Sequence, residues 1–253
     1  VWKTNPMPAH LPDPCLFQLG CGDRALPGFV NIDFLPDRPD ILDWDLLDAW
    51  PKGLANAVDH GFAEDVLEHF FFEEQVYLLA QMNQVLKTGG VFRVLMPNLG
   101  SLVAVRQQFD ASQDFLARNF GVQTGADALN LGMRFGGHRW LHDDQSLIRL
   151  AELAGFAATP TSCRVSKVPQ LTGINRGDES TTLTFAHDLV KTRSMRKLVL
   201  TPVEVSGARP CGELSPKQPL YKSTGHDSQV RYVLPETISA RDIVLLVFRG
   251  GNL

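Results

Sequence analysis

Two glycines and an aspartate near the start of the chain have the types and spacing of a nucleoside site. The run CLFQLGCGDRALPGFVNIDF, residues 15–34, contains a buried-type strand, the turn Gly20–Cys21–Gly22, and a second short apolar strand that ends at Asp33. At the first corner of a doubly wound sheet, glycines let a ligand approach the backbone and an acid closing the second strand can hold a ribose diol. The pattern therefore favours a nucleoside-type ligand.

The spacing distinguishes between two such ligands. A dinucleotide fingerprint has a third glycine and an acid about 20 residues further on. Here Ala25 stands at the third position, and only ten residues, 23–32, separate Gly22 from Asp33. That gap is too short for a full crossover helix and offers no obvious phosphate cradle. It favours a nucleoside without phosphates, such as S-adenosylmethionine, over a nicotinamide dinucleotide.

A set of motifs in this order resembles the class I S-adenosylmethionine-dependent methyltransferases, and more narrowly a small bacterial type. The resemblance is close over residues 13–98 and looser to 192. The matching pieces are Gly20–Cys21–Gly22, Pro27–Gly28–Phe29, Asn31–Ile32–Asp33, Val66–Leu67–Glu68–His69 and Val85–Leu86–Lys87–Thr88–Gly89–Gly90. The family usually has proline where Thr88 stands.

The resemblance implies a doubly wound, seven-stranded, Rossmann-like α/β sheet. It implies a methyltransferase domain at 15–192 with a substrate cover at about 99–142. The four prolines of 1–14 predict an irregular N-terminal arm, and 193–253, which has no counterpart in the family's core, is predicted to be a β-rich extension. The extension is expected to form a small C-terminal β appendage, with apolar strands at 198–205, 230–234 and 243–248.

The order of apolar runs predicts the elements of the domain. Strands are predicted at 16–19, 30–33, 41–42, 54–62, 91–96, 162–168 and 181–190, the last antiparallel to the sixth. Helices are predicted at 66–86, 101–109, 113–119 and 145–154. Asp65 is the predicted N-cap of the first helix, residues 87–90 its C-terminal cap, and Asp143 the N-cap of the fourth helix.

The resemblance also implies a cofactor site, at the strand ends where open α/β sheets bind ligands. Asp45 is expected to accept from the adenine amine with Leu46 against the ring, although an aspartate here is also a natural turn former. The predicted cofactor-binding residues are Gly20, Cys21, Gly22, Asp33, Phe34, Asp45, Leu46, Ala63 and Glu64.

Three residues are candidates for a catalytic base, namely Glu64, His69 and His138. Glu68 and His69 match the family's glutamate–histidine pair, but a purely structural role for that pair is favoured. His138 and His142 are four residues apart in FGGHRWLHD, yet Gly136 and Gly137 make a poor helix and no convincing third ligand is present. The sequence therefore predicts no metal site.

Composition narrows the function classes. The formal net charge is -4, which argues against a duplex nucleic-acid partner, and no apolar run is long enough to span a bilayer. The segment after the fourth strand, Ala63–Glu64–Asp65–Val66, lacks the Asn/Asp–Pro–Pro–aromatic motif expected of a DNA amino-methyltransferase. The four cysteines have no zinc-ribbon spacing and, with no export signal at the N-terminus, indicate reduced thiols in the cytoplasm.

The expected activity is in-line methyl transfer to a hydroxyl or amine of a small molecule or carbohydrate. Sugars are favoured only because relatives of this type often accompany polysaccharide assembly. The alternative is a non-catalytic protein with the same fold that binds a partner through its C-terminal extension. A homodimer is also considered.

Overall fold

The computed structural model describes residues 10–48, 50–110, 115–175 and 183–194, together with four strands between 202 and 232. The chain divides into two compact units. One contains Val1–Met195 and Val247–Leu253, and the other contains Arg196–Leu246. Most of the predicted arm and the predicted strand at 243–248 lie outside the described residues.

The first unit is built on one seven-stranded sheet with flanking helices. The strands are β1 (Leu16–Leu19), β2 (Val30–Asp33), β3 (Leu42–Asp43), β4 (Val58–Glu64), β5 (Leu86–Pro97), β6 (Phe156–Thr161) and β7 (Thr184–Lys191). Their spatial order is β3-β2-β1-β4-β5-β7-β6. The helices are α1 (Phe72–Val85), α2 (Leu99–Gln107), α3 (Phe115–Phe120), α4 (Gly125–Arg134) and α5 (Asp144–Leu153).

Strand directions identify the architecture. β1 to β5 run parallel, and β7 is antiparallel to both of its neighbours, β5 and β6. The parallel strands require crossover connections, and the order reverses beside β1, as in a doubly wound sheet. The predicted Rossmann-like, seven-stranded fold is confirmed, including the antiparallel seventh strand.

The central strands are apolar because they are covered on both faces. All four residues of β1 are buried, and so are seven consecutive residues of β5, from Gly90 to Met96. Parallel sheets of this kind read as continuous apolar runs. Under the segment after β6, a core cluster joins Phe62, Val91, Leu95, Val168, Leu171 and Ala186.

The segment between β5 and α5 has a small core of its own. Leu102 of α2, Leu116 of α3, Ala128 of α4 and Leu141 form a separate apolar cluster. α2 and α4 approach closely at Gly132, where a Cβ atom would lie 2.4 Å from Leu102 Cδ2. The described part of the predicted cover thus forms three helices, and the third of them, α4, was not predicted from the sequence.

The first predicted helix is wrong at its start. Asp65 does not cap it: this residue has a φ of 55°, and it is followed by a 3₁₀ turn at Leu67–His69. α1 begins only at Phe72, where the Glu74 carboxylate accepts from the backbone N–H of Phe71.

The predicted C-terminal cap of that helix is also wrong. Residues 87–90 belong to β5, which begins at Leu86. Lys87 pairs with Asp59, at 2.6 Å between Nζ and Oδ1, instead of facing a helix end.

Two other boundaries differ from the prediction. The fourth strand begins at Val58, after a 3₁₀ turn at Lys52–Leu54, and not at residue 54. The sixth strand is Phe156–Thr161 and not 162–168, which forms an irregular segment. The N-cap at Asp143 is confirmed, since its Oδ1 accepts from the backbone N–H of Ser146 at 2.8 Å.

The described residues of the second unit form four short strands, β8 (Pro202–Ser206), β9 (Ala208–Ser215), β10 (Gln218–Ser223) and β11 (Gln229–Tyr232). β9 pairs with β10 and β8 with β11, both antiparallel. The β character expected of the extension is confirmed. β8 overlaps the strand predicted at 198–205 and β11 the strand predicted at 230–234, whereas β9 and β10 were not predicted. None of the described helices is both long and apolar enough to cross a membrane.

Candidate functional site

The predicted cofactor residues lie at the carboxyl ends of four adjacent parallel strands. The turn Gly20–Cys21–Gly22 follows β1, Asp33 ends β2, Asp45 comes two residues after β3, and Glu64 ends β4. Because β3, β2, β1 and β4 are neighbours in that order, these residues share one edge of the sheet, the usual ligand edge of an open α/β fold.

Backbone contacts join the glycine turn to β2. The Asp33 carboxylate accepts from the backbone N–H of Gly22 at 2.5 Å and from that of Phe34 at 2.6 Å. Cys21 N–H donates to the Ile32 carbonyl at 3.2 Å, and the Cys21 side chain is fully buried. Each Asp33 oxygen can accept a second hydrogen bond, so the carboxylate has capacity for a ligand hydroxyl.

Only glycine fits at position 20 without displacing its neighbours. Its φ is 59°, and a Cβ atom there would lie 2.5 Å from Val66 Cγ2. The turn after β1 therefore packs directly against the segment that follows β4. A side chain at this position would separate the two.

The remaining predicted cofactor residues differ in exposure. Asp45 forms a local turn, with Oδ1 accepting from Leu47 N–H at 2.9 Å, so the turn-forming role left open by the sequence is observed. Leu46, Ala63 and Glu64 are buried. Phe34 is 63% exposed and thus presents its ring at this edge.

Two of the three candidate bases meet. The His69 and His138 rings are 5.2 Å apart between centroids, in an edge-to-face arrangement. Glu68 lies with them: its Oε1 is 4.0 Å from His138 Nε2. Glu64 ends β4, and its place at the ligand edge is what links it to the candidate site.

Glu68 is the most unusual member of this cluster. Its side chain is fully buried, and neither carboxylate oxygen has a hydrogen-bond partner among the described residues. Burial raises the pKa of this carboxyl to about 8, and the negative charge of Asp65 adds to the rise. Burial also lowers the pKa of His69, as does the charge of His138. The cluster thus disfavours charge on both the acid and the base.

Hydrogen bonds to one backbone carbonyl bring the distant segments together. The carbonyl oxygen of Glu68 accepts from the N–H groups of Arg139 at 2.7 Å and Trp140 at 3.2 Å. Gln75 adds to this contact: its Nε2 donates to the carbonyls of Leu67, Phe70 and Trp140 at 2.8–3.1 Å.

His142 belongs to the hydrogen bonds around Gln75 and not to the cluster of Glu68, His69 and His138. Its Nε2 lies 2.7 Å from Gln75 Oε1 and its Nδ1 lies 3.0 Å from Ser146 Oγ. Because Gln75 Oε1 can only accept, Nε2 carries the proton. Both ring nitrogens have protein partners, so His138 and His142 do not act as a pair.

Sequence reasoning missed two buried polar residues, of which Gln75 supports the site and Arg93 holds the segment after β6. Gln75 lies on the buried face of α1, and Arg93 lies in the middle of the apolar strand β5; both are fully buried. The signal was present in each case, because a polar side chain at a core position of a helix or strand needs a buried partner.

Comparisons with known proteins give structural likenesses only. No family model and no curated protein matches the sequence. A Thermotoga maritima S-adenosylmethionine-dependent methyltransferase has a TM-score of 0.43 at 14% identity, covering 72% of this chain and 84% of its own. Human N-acetylserotonin methyltransferase in complex with S-adenosylmethionine scores 0.44 at 16% identity, covering 71% and 48%.

A third structure, an S-adenosylmethionine-dependent methyltransferase from Mesorhizobium loti, scores 0.41 at 16% identity, covering 71% of this chain and 93% of its own. The TM-scores are below 0.5 and the identities below 25%. The assignment of this chain to a doubly wound, seven-stranded sheet therefore rests on its strand order and register.

Proposed function

We propose that this chain is an S-adenosylmethionine-dependent methyltransferase that acts on a hydroxyl or amine of a small molecule or carbohydrate. One observation carries the proposal. The glycine turn, Asp33, the Asp45–Leu46 segment and Glu64 follow or end four neighbouring parallel strands at the same edge. That edge is where a nucleoside would bind in this fold.

In this proposal the cofactor lies across the four strand ends. Asp33 accepts from the ribose hydroxyls with the lone pairs that Gly22 and Phe34 leave free. Asp45 and Leu46 hold the adenine, and the backbone of Gly20–Gly22 lines the amino-acid portion. The absence of a side chain at Gly20 lets this backbone turn with a positive φ and pack directly against Val66.

The reaction needs positioning more than acid–base chemistry. A lone pair of the acceptor oxygen or nitrogen attacks the methyl carbon as the carbon–sulfur bond breaks, and its electron pair goes to sulfur. The products are the methylated acceptor and S-adenosylhomocysteine. A hydroxyl acceptor also loses a proton, for which His69, His138 and Glu64 are the proposed bases, whereas a neutral amine needs none at the moment of transfer.

Calorimetric titration with S-adenosylhomocysteine tests the proposal. A charged hydrogen bond contributes roughly 1.5–3 kcal/mol, so Asp33→Ala should weaken binding about 10- to 100-fold. Asp37→Ala is the control, because Asp37 is an exposed acid in the same loop region, and it should bind like wild type. Circular dichroism checks that both variants fold.

Two results would change the assignment. No binding of S-adenosylhomocysteine to the wild-type chain would overturn it, whereas unchanged affinity in Asp33→Ala would remove only this residue from the site. Binding without methyl transfer to any of a panel of sugars, phenols and amines would favour the non-catalytic alternative.

A further inference from the structure

The cluster of Glu68, His69 and His138 is composed of ligand types that bind transition metals. One ligand atom from each of the three side chains lies within 4.8 Å of the other two. Two imidazoles and one carboxylate are a common set for zinc and related divalent ions.

The imidazole of His138 is held in the form that a metal requires. Its Nδ1 is 2.9 Å from the carbonyl oxygen of Gly132. A carbonyl only accepts, so Nδ1 carries the proton and Nε2 presents a lone pair towards Glu68. Metal-binding histidines characteristically donate their second ring N–H to a carbonyl or carboxylate in this way.

The imidazole of His69 lies beside the same short segment, with its ring centroid 5.2 Å from that of His138. Between them lies Gly136, where a Cβ atom would be 3.5 Å from His69 Cε1 and 3.9 Å from His138 Nε2.

Glu68 supplies an independent sign of a missing partner. Its side chain has no exposed surface, and both oxygens lack a hydrogen-bond donor among the described residues. An isolated buried carboxylate is costly unless it is neutralised, paired or bound to a metal. The neighbouring His138 Nε2, at 4.0 Å, is an acceptor and too distant for a hydrogen bond.

The charges near the cluster are mixed. Asp65 acts on Glu68 and His69 with its negative charge, which favours a cation. The Arg139 guanidinium has partners of its own, the Phe71 ring at 4.8 Å and the Glu74 carboxylate at 3.7 Å.

We propose that Glu68, His69 and His138 form a binding site for a divalent transition-metal cation of the zinc type. With metal–ligand distances of about 2.0–2.2 Å, the ligand atoms around one ion are roughly 3.3–3.5 Å apart, so movements on the order of 1 Å complete the site. The sequence predicted no metal because Glu68 and His69 are distant from His138 along the chain. The site stands whether or not the chain transfers methyl groups. With an ion bound, His69 and His138 act as ligands, and Glu64 is then the remaining candidate base.

The test is a calorimetric titration in which Zn²⁺ is added to the full chain after chelator treatment. The wild-type chain should bind one ion in the micromolar range or tighter, and its Tm should rise. Glu68→Gln removes the charge at nearly constant shape, and His138→Asn removes a ligand. Replacing a residue that only supports a metal ligand typically costs roughly 10- to 100-fold in metal affinity. Replacing a ligand itself should therefore weaken Zn²⁺ binding at least about 100-fold.

His10→Asn is the matched control, since His10 is exposed, and it should leave affinity unchanged. Absorption of the Co²⁺ form separates nitrogen and oxygen ligands from cysteine thiolate, whose charge-transfer bands should be absent. Failure of wild-type protein to bind one ion would overturn the proposal. Unchanged affinity in folded Glu68→Gln and His138→Asn would do the same.

Discussion

Arg93 on β5 and Asp188 on β7 form a buried ion pair between residues that face each other in register. Arg93 Nη1 lies 2.8 Å from Asp188 Oδ1, and the two side chains are 1% and 0% exposed. Arg93 also donates to the carbonyls of Ser162 and Cys163, while Asp188 Oδ2 accepts from Ser166 and Lys167. The pair thus fastens the irregular segment after β6 to the sheet.

Breaking this pair should strongly destabilise the fold. Arg93→Met leaves Asp188 as an uncompensated buried charge, which costs about 3–5 kcal/mol in the free energy of unfolding. The double variant Arg93→Met/Asp188→Leu should recover most of the loss. Urea denaturation at neutral pH measures both. Arg38→Met, which breaks an exposed Arg–Asp pair, is the control and should have little effect, and an equal loss there would contradict the prediction.

Replacing Gly20 with alanine should lower the free energy of unfolding more than replacing Gly28 with alanine. Both glycines have positive φ, 59° and 79°, but only Gly20 has a neighbour, Val66, within 4 Å of the added Cβ. Gly28→Ala should therefore cost only backbone strain, about 1 kcal/mol, and Gly20→Ala should add roughly 1–3 kcal/mol from the clash. Thermal unfolding compares the two. Adding Val66→Ala should reduce the effect of Gly20→Ala, and equal costs at both glycines would count against the clash.

Stability should fall in acid partly because of His142. Burial lowers the pKa of this side chain to about 4, against the small opposing effect of Asp143. The unfolded histidine takes up a proton below about pH 6.5, whereas the folded one does so only near 4. The contribution of His142 to the free energy of unfolding is full above pH 6.5. About 3 kcal/mol of it is lost as the pH falls from 6.5 to 4.

Comparison with His142→Gln isolates this contribution. Chemical denaturation at several pH values between 7 and 4 should give a shallower decline in unfolding free energy for the variant than for wild type. The buried His187, whose pKa is also lowered, is common to both proteins. Parallel declines would show that His142 does not titrate in this way.

Gln75→Met should destabilise the chain through lost hydrogen bonds. The substitution keeps the size of the side chain but leaves His142 Nε2 and the Trp140 carbonyl without this partner. Since each buried group left unsatisfied costs about 1–3 kcal/mol, we expect a loss of roughly 3 kcal/mol. Gln81→Met on the same helix removes one bond of 3.5 Å. Denaturation curves should show a much smaller loss there, and similar losses would refute the role given to Gln75.

Local signals account for what the sequence predicted correctly. The apolar run of β1, the glycine turn and the acid ending β2 are encoded within 20 residues, 15–34, and the structure places them as expected. The N-cap at Asp143 is equally local. Such patterns need no knowledge of distant partners.

The errors come from tertiary contacts. Pro160 reads as a strand breaker, yet it lies in β6, which is the edge strand of the sheet, where proline is tolerated. The alternating segment 162–168 reads as a strand, but Arg93 and Asp188 use its backbone groups. Ahead of α1, the carbonyls of Leu67 and Phe70 bond to the Gln75 side chain, a contact that the local pattern does not reveal.

The candidate site, like the fold, could be predicted from the sequence only in part. The strand-end residues were predictable because a parallel sheet places them at one edge. The meeting of Glu68 and His138 was not, because it depends on how residues 138–140 return to the turn after β4.

The position of β7 also sets an order of events during synthesis. Its pairing with β5 and β6 fills the sheet between two strands made earlier, so while the ribosome is still translating the region before Thr184, β5 has an unpaired edge. A nascent chain at that stage holds Arg93 without its acidic partner and exposes backbone groups that invite association with other chains. The gap between β5 and β6 is filled only once β7 has been synthesised through residue 191.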